Sequence, residues 1–229
     1  MKKYIETIRE IKSYLLLWGT QSFSGLGSAM TSYALVIWSY TQKGSALITA
    51  LLMVSSYAPY VLFSIFAGAL SDKWNKKAVM LVCDTAAALT TVVMLILMRT
   101  DTLQIWHLYV INGINGLMNS VQQPASEVAV TRLLPRKYYQ RVGGMRYLAS
   151  SLNSILTPII ATAVLGLAGI DAVVAFDLFT FTAAFLTLAL VIKIPEEEEI
   201  QEKEGVLTAA REGLGYLKRE RGILAMSFR

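Results

Sequence analysis

Three carboxylic acids stand inside or at the edge of long apolar stretches of this sequence. Asp84 follows a basic turn by seven residues, Asp177 lies about two helical turns into the last long apolar stretch, and Glu127 ends a run of amides. A charge held away from water is expensive unless it is paired, hydrated or neutralised. Because desolvation favours the neutral form of a carboxyl group, we predict that Asp177, Asp84 and Glu127 are candidates for groups that bind and release a proton. For Asp177, a structural hydrogen bond to a neighbouring helix is the alternative.

Enzyme chemistry finds little support in the sequence. His107 is the only histidine and Cys83 the only cysteine, so neither a zinc site nor a Cys–His nucleophile can be assembled. The phosphate-binding pattern Gly-x-x-x-x-Gly-Lys-Ser/Thr is not found. An aspartyl hydrolase would need Asp84 and Asp177 at one depth, whereas we expect them toward opposite membrane faces. We predict a protein that is not an enzyme, with no metal site and no cofactor.

The acids must be positioned by membrane-spanning helices. The 229 residues are 55% hydrophobic and only 16% charged, which is too apolar for a soluble domain. A spanning helix needs about 20 mostly apolar residues, and we identify stretches at 14–40, 46–70, 78–98, 105–129, 144–168 and 172–193. We predict an all-α polytopic membrane protein with a six-helix bundle in residues 1–194. Residues 195–221 are predicted to be a cytoplasmic linker with an amphipathic helix, and 222–229 the cut-off start of a seventh span.

Lysine and arginine predict the orientation of these helices. Eleven basic residues fall in the amino-terminal segment, the second loop and the fourth loop: Lys2, Lys3, Arg9, Lys12, Lys73, Lys76, Lys77, Arg132, Arg136, Lys137 and Arg141. The first and third loops hold Lys43 and Arg99, and the fifth holds none. Since positive charge accumulates on the cytoplasmic side, we place both termini in the cytoplasm and the protein in the cell membrane. Topology accounts for the net charge of +5, so we predict lipid and not nucleic acid as a partner.

Polar side chains follow one face of the fourth span and recur in the first and fifth. Those of the fourth span fall within an arc of about 140°. An amide stripe is costly against lipid, so we favour a hydrated cavity, with interhelical hydrogen bonding as the alternative. The predicted cavity-lining residues are Gln21, Ser24, Ser28, Asn112, Asn115, Asn119, Gln122, Gln123, Ser150, Asn153 and Thr157.

A pair of opposite charges is predicted where the fourth and fifth spans meet the cytoplasm. Glu127 and Arg146 lie at similar distances from the centre of the connecting loop near Arg136. Antiparallel neighbours would therefore bring them to similar depth. Pairing would offset the cost of leaving either charge alone at the membrane boundary.

The turn between the second and third spans carries a family pattern. Gly68-Ala-Leu-Ser-Asp72-Lys73-Trp-Asn-Lys76-Lys77 resembles the signature between helices two and three of the major facilitator superfamily. Other segments are similar to its macrolide-efflux-type branch: Trp18-Gly-Thr-Gln21, Asp84, Gln123-Pro-Ala125, Leu133-Leu-Pro135, Ala175-Phe-Asp177 and Arg211-Glu-Gly-Leu-Gly-Tyr-Leu217. The resemblance covers essentially the whole chain.

The resemblance implies the amino-terminal half of a twelve-helix transporter, built from 3+3 inverted repeats beside a midplane substrate site. It further implies export of macrolides, other hydrophobic drugs or siderophores, driven by the proton gradient. Gly68, Asp72, Lys73, Lys76 and Lys77 would form a conformational latch in which Asp72 faces a helix end of the other half. The implied partners are a small amphipathic substrate and either a carboxy-terminal half or a second copy of the chain.

Two departures from the family pattern concern proton coupling. The fifth-helix antiporter motif has glycines around Gly-Pro, whereas this chain has Asn153-Ser-Ile-Leu-Thr157-Pro158. The acid that several drug antiporters carry in the first helix is also missing. A second hypothesis is a non-transporting membrane protein, either a truncated product, which the cut-off seventh span favours, or a six-helix scaffold that binds a partner.

Overall fold

The computed structural model describes residues 11–195, apart from the side chains of Ile65 and residues 68–73, and every regular element in this range is helical. The predicted amphipathic helix within 195–221 and the predicted start of a span at 222–229 therefore lie outside the described residues, save Pro195. The elements are α1 (Lys12–Lys43), α2 (Ala46–Lys73), α3 (Lys76–Arg99), α4 (Ile105–Leu133), a 3₁₀ turn (Arg136–Tyr138), α5 (Tyr139–Leu186) and a closing π-helical turn (Thr187–Val191).

Short connections join the first three helices. Gly44 ends α1 in the left-handed region (φ 61°), which glycine enters without steric cost, and its N–H donates to the carbonyl of Tyr40. Asn75 caps α3, and its side chain accepts a hydrogen bond from the N–H of Ala78 at 2.9 Å. The connection between α2 and α3 is therefore only Trp74 and Asn75, and the rest of the charged segment Gly68–Lys77 lies in the two helices.

Gly169 divides α5 into two helical runs, because its backbone (φ 77°, ψ 178°) is non-helical. Val142, near the start of the first run, belongs to the same buried cluster as Tyr14 of α1. Leu188, just past the end of the second run, packs in a cluster with Leu17 of α1. Since both outer ends return to the beginning of α1, the chain reverses at Gly169 and the two runs lie side by side.

Three of the described helices are long and apolar enough to cross a membrane: Ala46–Ser64 within α2, Lys76–Arg99, and Arg136–Val191, which contains the Gly169 break. The other two long helices, α1 and α4, carry many polar side chains, which lower their mean hydropathy. Part of the predicted bundle thus has the length and composition that a membrane crossing requires. The count of six crossings stays a prediction.

Two glycines mark close contacts between helices. A Cβ added to Gly116 of α4 would overlap the backbone carbonyl oxygen of Ser56 in α2. A Cβ added to Gly27 of α1 would lie 2.5 Å from the Thr180 hydroxyl and 2.9 Å from the Cα of Asp177. Small residues permit such backbone approach in membrane bundles. They hold α2 against α4, and α1 against the second run of α5.

Candidate functional site

Asp84 is the centre of a three-helix hydrogen-bond cluster. Its carboxylate, on α3, is buried, with the residue 9% exposed. Oδ1 accepts from Nε2 of Gln122 in α4 at 2.5 Å, and Oδ2 accepts from Nε2 of Gln21 in α1 at 3.3 Å. Both oxygens are thus held by neutral amides, which satisfy a buried carboxylate without an opposite charge.

Asp177 occupies a different environment, in the second run of α5. The residue is 3% exposed, and its Oδ1 accepts a hydrogen bond from Ser28 Oγ of α1 at 2.9 Å. The backbone of Gly27 lies close beside it. Within the described residues Asp177 has no cationic partner. A buried acid next to neutral hydroxyl groups can exist as a carboxylate or as a carboxylic acid, because a hydroxyl can donate or accept.

The two buried acids do not form a catalytic pair. Asp84 meets α1 at Gln21, and Asp177 meets α1 at Ser28. These contact points are seven residues apart, on the order of 10 Å along the helix axis. Aspartyl hydrolase chemistry requires carboxyl groups close enough to share a proton, and the structure provides no such juxtaposition for these two residues.

Glu127 and Arg146 lie near each other, at the facing ends of α4 and α5. Arg146 Nη2 is 4.0 Å from Glu127 Oε1, and the side chains are 46% and 53% exposed, respectively. At this distance and exposure an ion pair contributes about 0–1 kcal/mol. Of the three candidate acids, Glu127 is therefore the one most accessible to solvent.

The amide side chains along one face of α4 form hydrogen bonds to other helices, and some of them are also exposed. Gln122 binds Asp84, and three other stripe residues make interhelical hydrogen bonds. These bonds run from Asn112 Nδ2 to the Leu52 carbonyl (3.3 Å), from Thr90 Oγ1 to Asn115 Oδ1 (3.1 Å) and from the Tyr60 hydroxyl to Gln123 Oε1 (2.5 Å). Asn119 and Gln123 are exposed, so the stripe provides interhelical contacts and a polar surface at once.

The remaining predicted cavity residues differ in their exposure. Ser28 and Ser150 are exposed, while Ser24 and Asn153 are half-buried. Thr157 is buried, and its hydroxyl has no hydrogen-bond partner among the described residues. Ser28, Ser150, Asn119 and Gln123 are thus the predicted residues that the described chain presents most openly.

The described part of the turn motif makes a contact within the chain. Lys77 Nζ donates to the carbonyl of Ala189 at 2.9 Å and to that of Ile192 at 2.8 Å. These carbonyls belong to the closing turn of the last helix, where backbone acceptors lack intrahelical partners. Lys76 is buried. The side chains of Gly68, Asp72 and Lys73, and hence any latch contact of Asp72, lie outside the described residues.

Replacing Lys77 with methionine is expected to lower the free energy of unfolding by about 1–2 kcal/mol, because two charge-assisted hydrogen bonds are lost at a half-buried site. Denaturant titration of the purified chain in mild detergent measures this change. Lys193→Met is the matched control, since Lys193 is exposed near the same helix end. Equal stability of the two variants would contradict the anchoring role of Lys77.

Sequence reasoning missed several partners of the site. Thr90 and Tyr60 bind the amide stripe, yet no periodicity or spacing in their own helices indicates these bonds. Arg99 binds Asp171 through two contacts, Nε to Oδ1 at 3.2 Å and Nη2 to Oδ2 at 3.0 Å. Arg99 and Asp171 stand at the ends of their apolar stretches. This position in the sequence was a usable signal for the ion pair between them.

Comparisons with known proteins agree with this architecture. A profile of the Major Facilitator Superfamily matches residues 17–228. Macrolide efflux protein A of Streptococcus pyogenes is 22% identical over 215 residues, which cover 93% of this chain and 53% of that protein. The uncharacterized MFS-type transporter YfiS of Bacillus subtilis is 24% identical over 218 residues, covering 92% and 50%. The chain spans about half the length of these curated relatives, and it belongs to the Major Facilitator Superfamily.

Proposed function

We propose that this chain forms the amino-terminal half of a proton-driven exporter of small amphipathic molecules, with macrolide-type drugs as the leading substrate class. Several relatives are named as macrolide efflux proteins, and the chain matches about half of their length. A carboxy-terminal half or a second copy of the chain would complete the substrate path. Siderophores and other amphipathic metabolites are the alternative cargo.

The buried environment of Asp177 is the observation that supports this proposal most strongly. An antiporter needs an acid that binds a proton in one state and releases it in another. Asp177 is 3% exposed and its carboxylate is hydrogen-bonded to a neutral hydroxyl, so no fixed positive charge among the described residues holds it ionised. Asp84, bound by two amides, is the second candidate in this role, and Glu127 is the third.

The substrate would contact the polar surface beside these acids. Asn119, Gln123, Ser28 and Ser150 are exposed, and amide and hydroxyl groups can bind many oxygen-rich amphipathic molecules. With both termini in the cytoplasm, the end of α1 near Tyr14 would face the cytoplasm and the Gly169 reversal would face outward.

Everted membrane vesicles containing the full chain provide the test. A proton gradient with an acidic vesicle interior is expected to drive accumulation of a radiolabelled macrolide. A protonophore is expected to abolish this accumulation. Vesicles from the same host without the chain give the background. Accumulation equal to that background would contradict transport by copies of this chain and favour a non-transporting scaffold or a half that needs a separate carboxy-terminal half. Accumulation that survives the protonophore would contradict proton coupling.

A further inference from the structure

Ser28 links a buried acid to the surface of the described bundle. The serine is exposed on α1, whereas the Asp177 residue it binds is 3% exposed. Their connection is a 2.9 Å hydrogen bond from Ser28 Oγ to Asp177 Oδ1. A proton that reaches Asp177 from this polar surface of the bundle therefore meets a hydroxyl group next to the acid.

Close helix packing restricts other routes on the α1 side. A Cβ on Gly27 would lie 2.5 Å from Thr180 Oγ1, 2.9 Å from the Asp177 Cα and 3.1 Å from Asp177 Oδ1. The Thr180 hydroxyl itself donates to the backbone carbonyl of Asp177 at 2.9 Å. This packing leaves no gap for a water molecule between Gly27 and the acid, since a water needs a cavity of its own volume.

A serine hydroxyl has the chemistry that such a route requires. It carries one donor proton and two acceptor lone pairs. A hydronium ion or a water-borne proton can bind one lone pair of Ser28 Oγ while the existing O–H proton passes to Asp177 Oδ1. One serine O–H bond breaks, another forms, and the carboxylate becomes a carboxylic acid. Reversal of the same steps releases the proton, so the serine is unchanged after each transfer.

We propose that Ser28 is the proton relay of Asp177 and exchanges protons between water and the buried carboxyl group. The inference deepens the proposed function and rests on it, because it assumes that Asp177 takes up and releases protons. It assigns to Ser28 a role different from that of a cavity wall. Ser32, one turn further along α1, is also exposed, but the described residues show no bond between it and a carboxylate.

Infrared spectroscopy of the purified full chain tests the relay without requiring transport. The carbonyl stretch of a protonated carboxyl group is measured as the pH is lowered, and Asp177→Asn identifies the component that belongs to Asp177. Transfer into heavy water then shifts this band as the carboxyl proton exchanges. The rate of that shift reports proton access to Asp177.

Ser28→Ala is expected to slow the exchange roughly tenfold or more, as typical of losing a positioned proton-transfer group. Ser28→Thr keeps the hydroxyl and is expected to restore the wild-type rate, which a purely steric role would not predict. Ser32→Ala is the matched control and should exchange like wild type. Exchange in Ser28→Ala at the wild-type rate would overturn the relay, as would a failure of Ser28→Thr to rescue it.

The failures of the relay and of proton coupling are distinguishable. If Asp177→Asn removes a carboxyl band but Ser28→Ala exchanges normally, the relay is wrong and Asp177 remains a proton acceptor. If no band depends on Asp177 at any pH at which the chain stays folded, both the relay and the proton role of Asp177 are wrong. In vesicles, Ser28→Ala should reduce the proton-driven transport rate, with Ser28→Thr close to wild type.

Discussion

Asp177→Asn is expected to reduce proton-driven accumulation of a macrolide to the level of vesicles that lack the chain. The asparagine has nearly the same shape and keeps an oxygen that can accept from Ser28 Oγ, so the 2.9 Å contact can persist. It cannot gain or lose a proton at physiological pH. The variant should therefore remain in the membrane while coupling is lost, because the change removes the titrating group and leaves the packing.

Asp171→Asn provides the matched control for this experiment. Asp171 lies six residues earlier, is 46% exposed and binds Arg99. Losing a pair of this exposure costs about 0–1 kcal/mol, so transport should stay near wild type. Proton-driven accumulation by Asp177→Asn at the wild-type rate would exclude Asp177 as the proton carrier and leave Asp84 as the next candidate. Immunoblotting of the membrane fraction shows whether equal amounts of each variant are compared.

Among substitutions that add a single methyl group, Gly116→Ala is expected to lower the stability of the folded chain the most. The added Cβ would overlap the Ser56 carbonyl oxygen and lie 3.0 Å from its carbonyl carbon. A backbone group cannot rotate aside as a side chain does, so α2 and α4 must move apart. Overpacking of this kind costs about 1–3 kcal/mol or more. Thermal unfolding in mild detergent should show a lowered Tm, and membrane yield should fall.

Gly113→Ala is the control for Gly116→Ala, one turn earlier on the same helix. Its added Cβ would lie 3.7 Å from the Ser55 carbonyl oxygen, an ordinary van der Waals contact. Alanine is favoured over glycine in a helix by about 1 kcal/mol, so Tm should stay the same or rise. Similar behaviour of the two variants would contradict the close α2–α4 packing described for Gly116.

Charge and hydropathy in the sequence were sufficient to predict the helical class of this membrane protein. The long helices of residues 11–195 agree with the predicted stretches, and Gly169, which divides α5 into two runs, lies between the predicted stretches 144–168 and 172–193. A glycine in the left-handed region can reverse the chain within one residue, so the connection between the fifth and sixth stretches is shorter than the predicted loop. The turn motif sufficed for the family, because its residue types and spacing are local.

The hydrogen-bond partners of the amide stripe on α4 could not be predicted from the sequence. Helical periodicity places Asn112, Asn115, Gln122 and Gln123 on one face of α4, which favoured a hydrated cavity over interhelical bonding. The structure gives each of these residues a bond to another helix, while Asn119 and Gln123 are exposed. Periodicity predicts a shared face, but not the groups that lie opposite it.

The sequence by itself determined that this protein is a helical membrane protein of the Major Facilitator Superfamily and that Asp84 and Asp177 lie within its apolar stretches. Composition, periodicity and motif spacing are properties of the chain alone. Only the tertiary structure decided that amides bind Asp84, that a serine binds Asp177, and that Lys77 reaches carbonyls more than 100 residues away. Hydrogen bonds require short distances and favourable angles, so they depend on the rotation and depth of each helix against its neighbours.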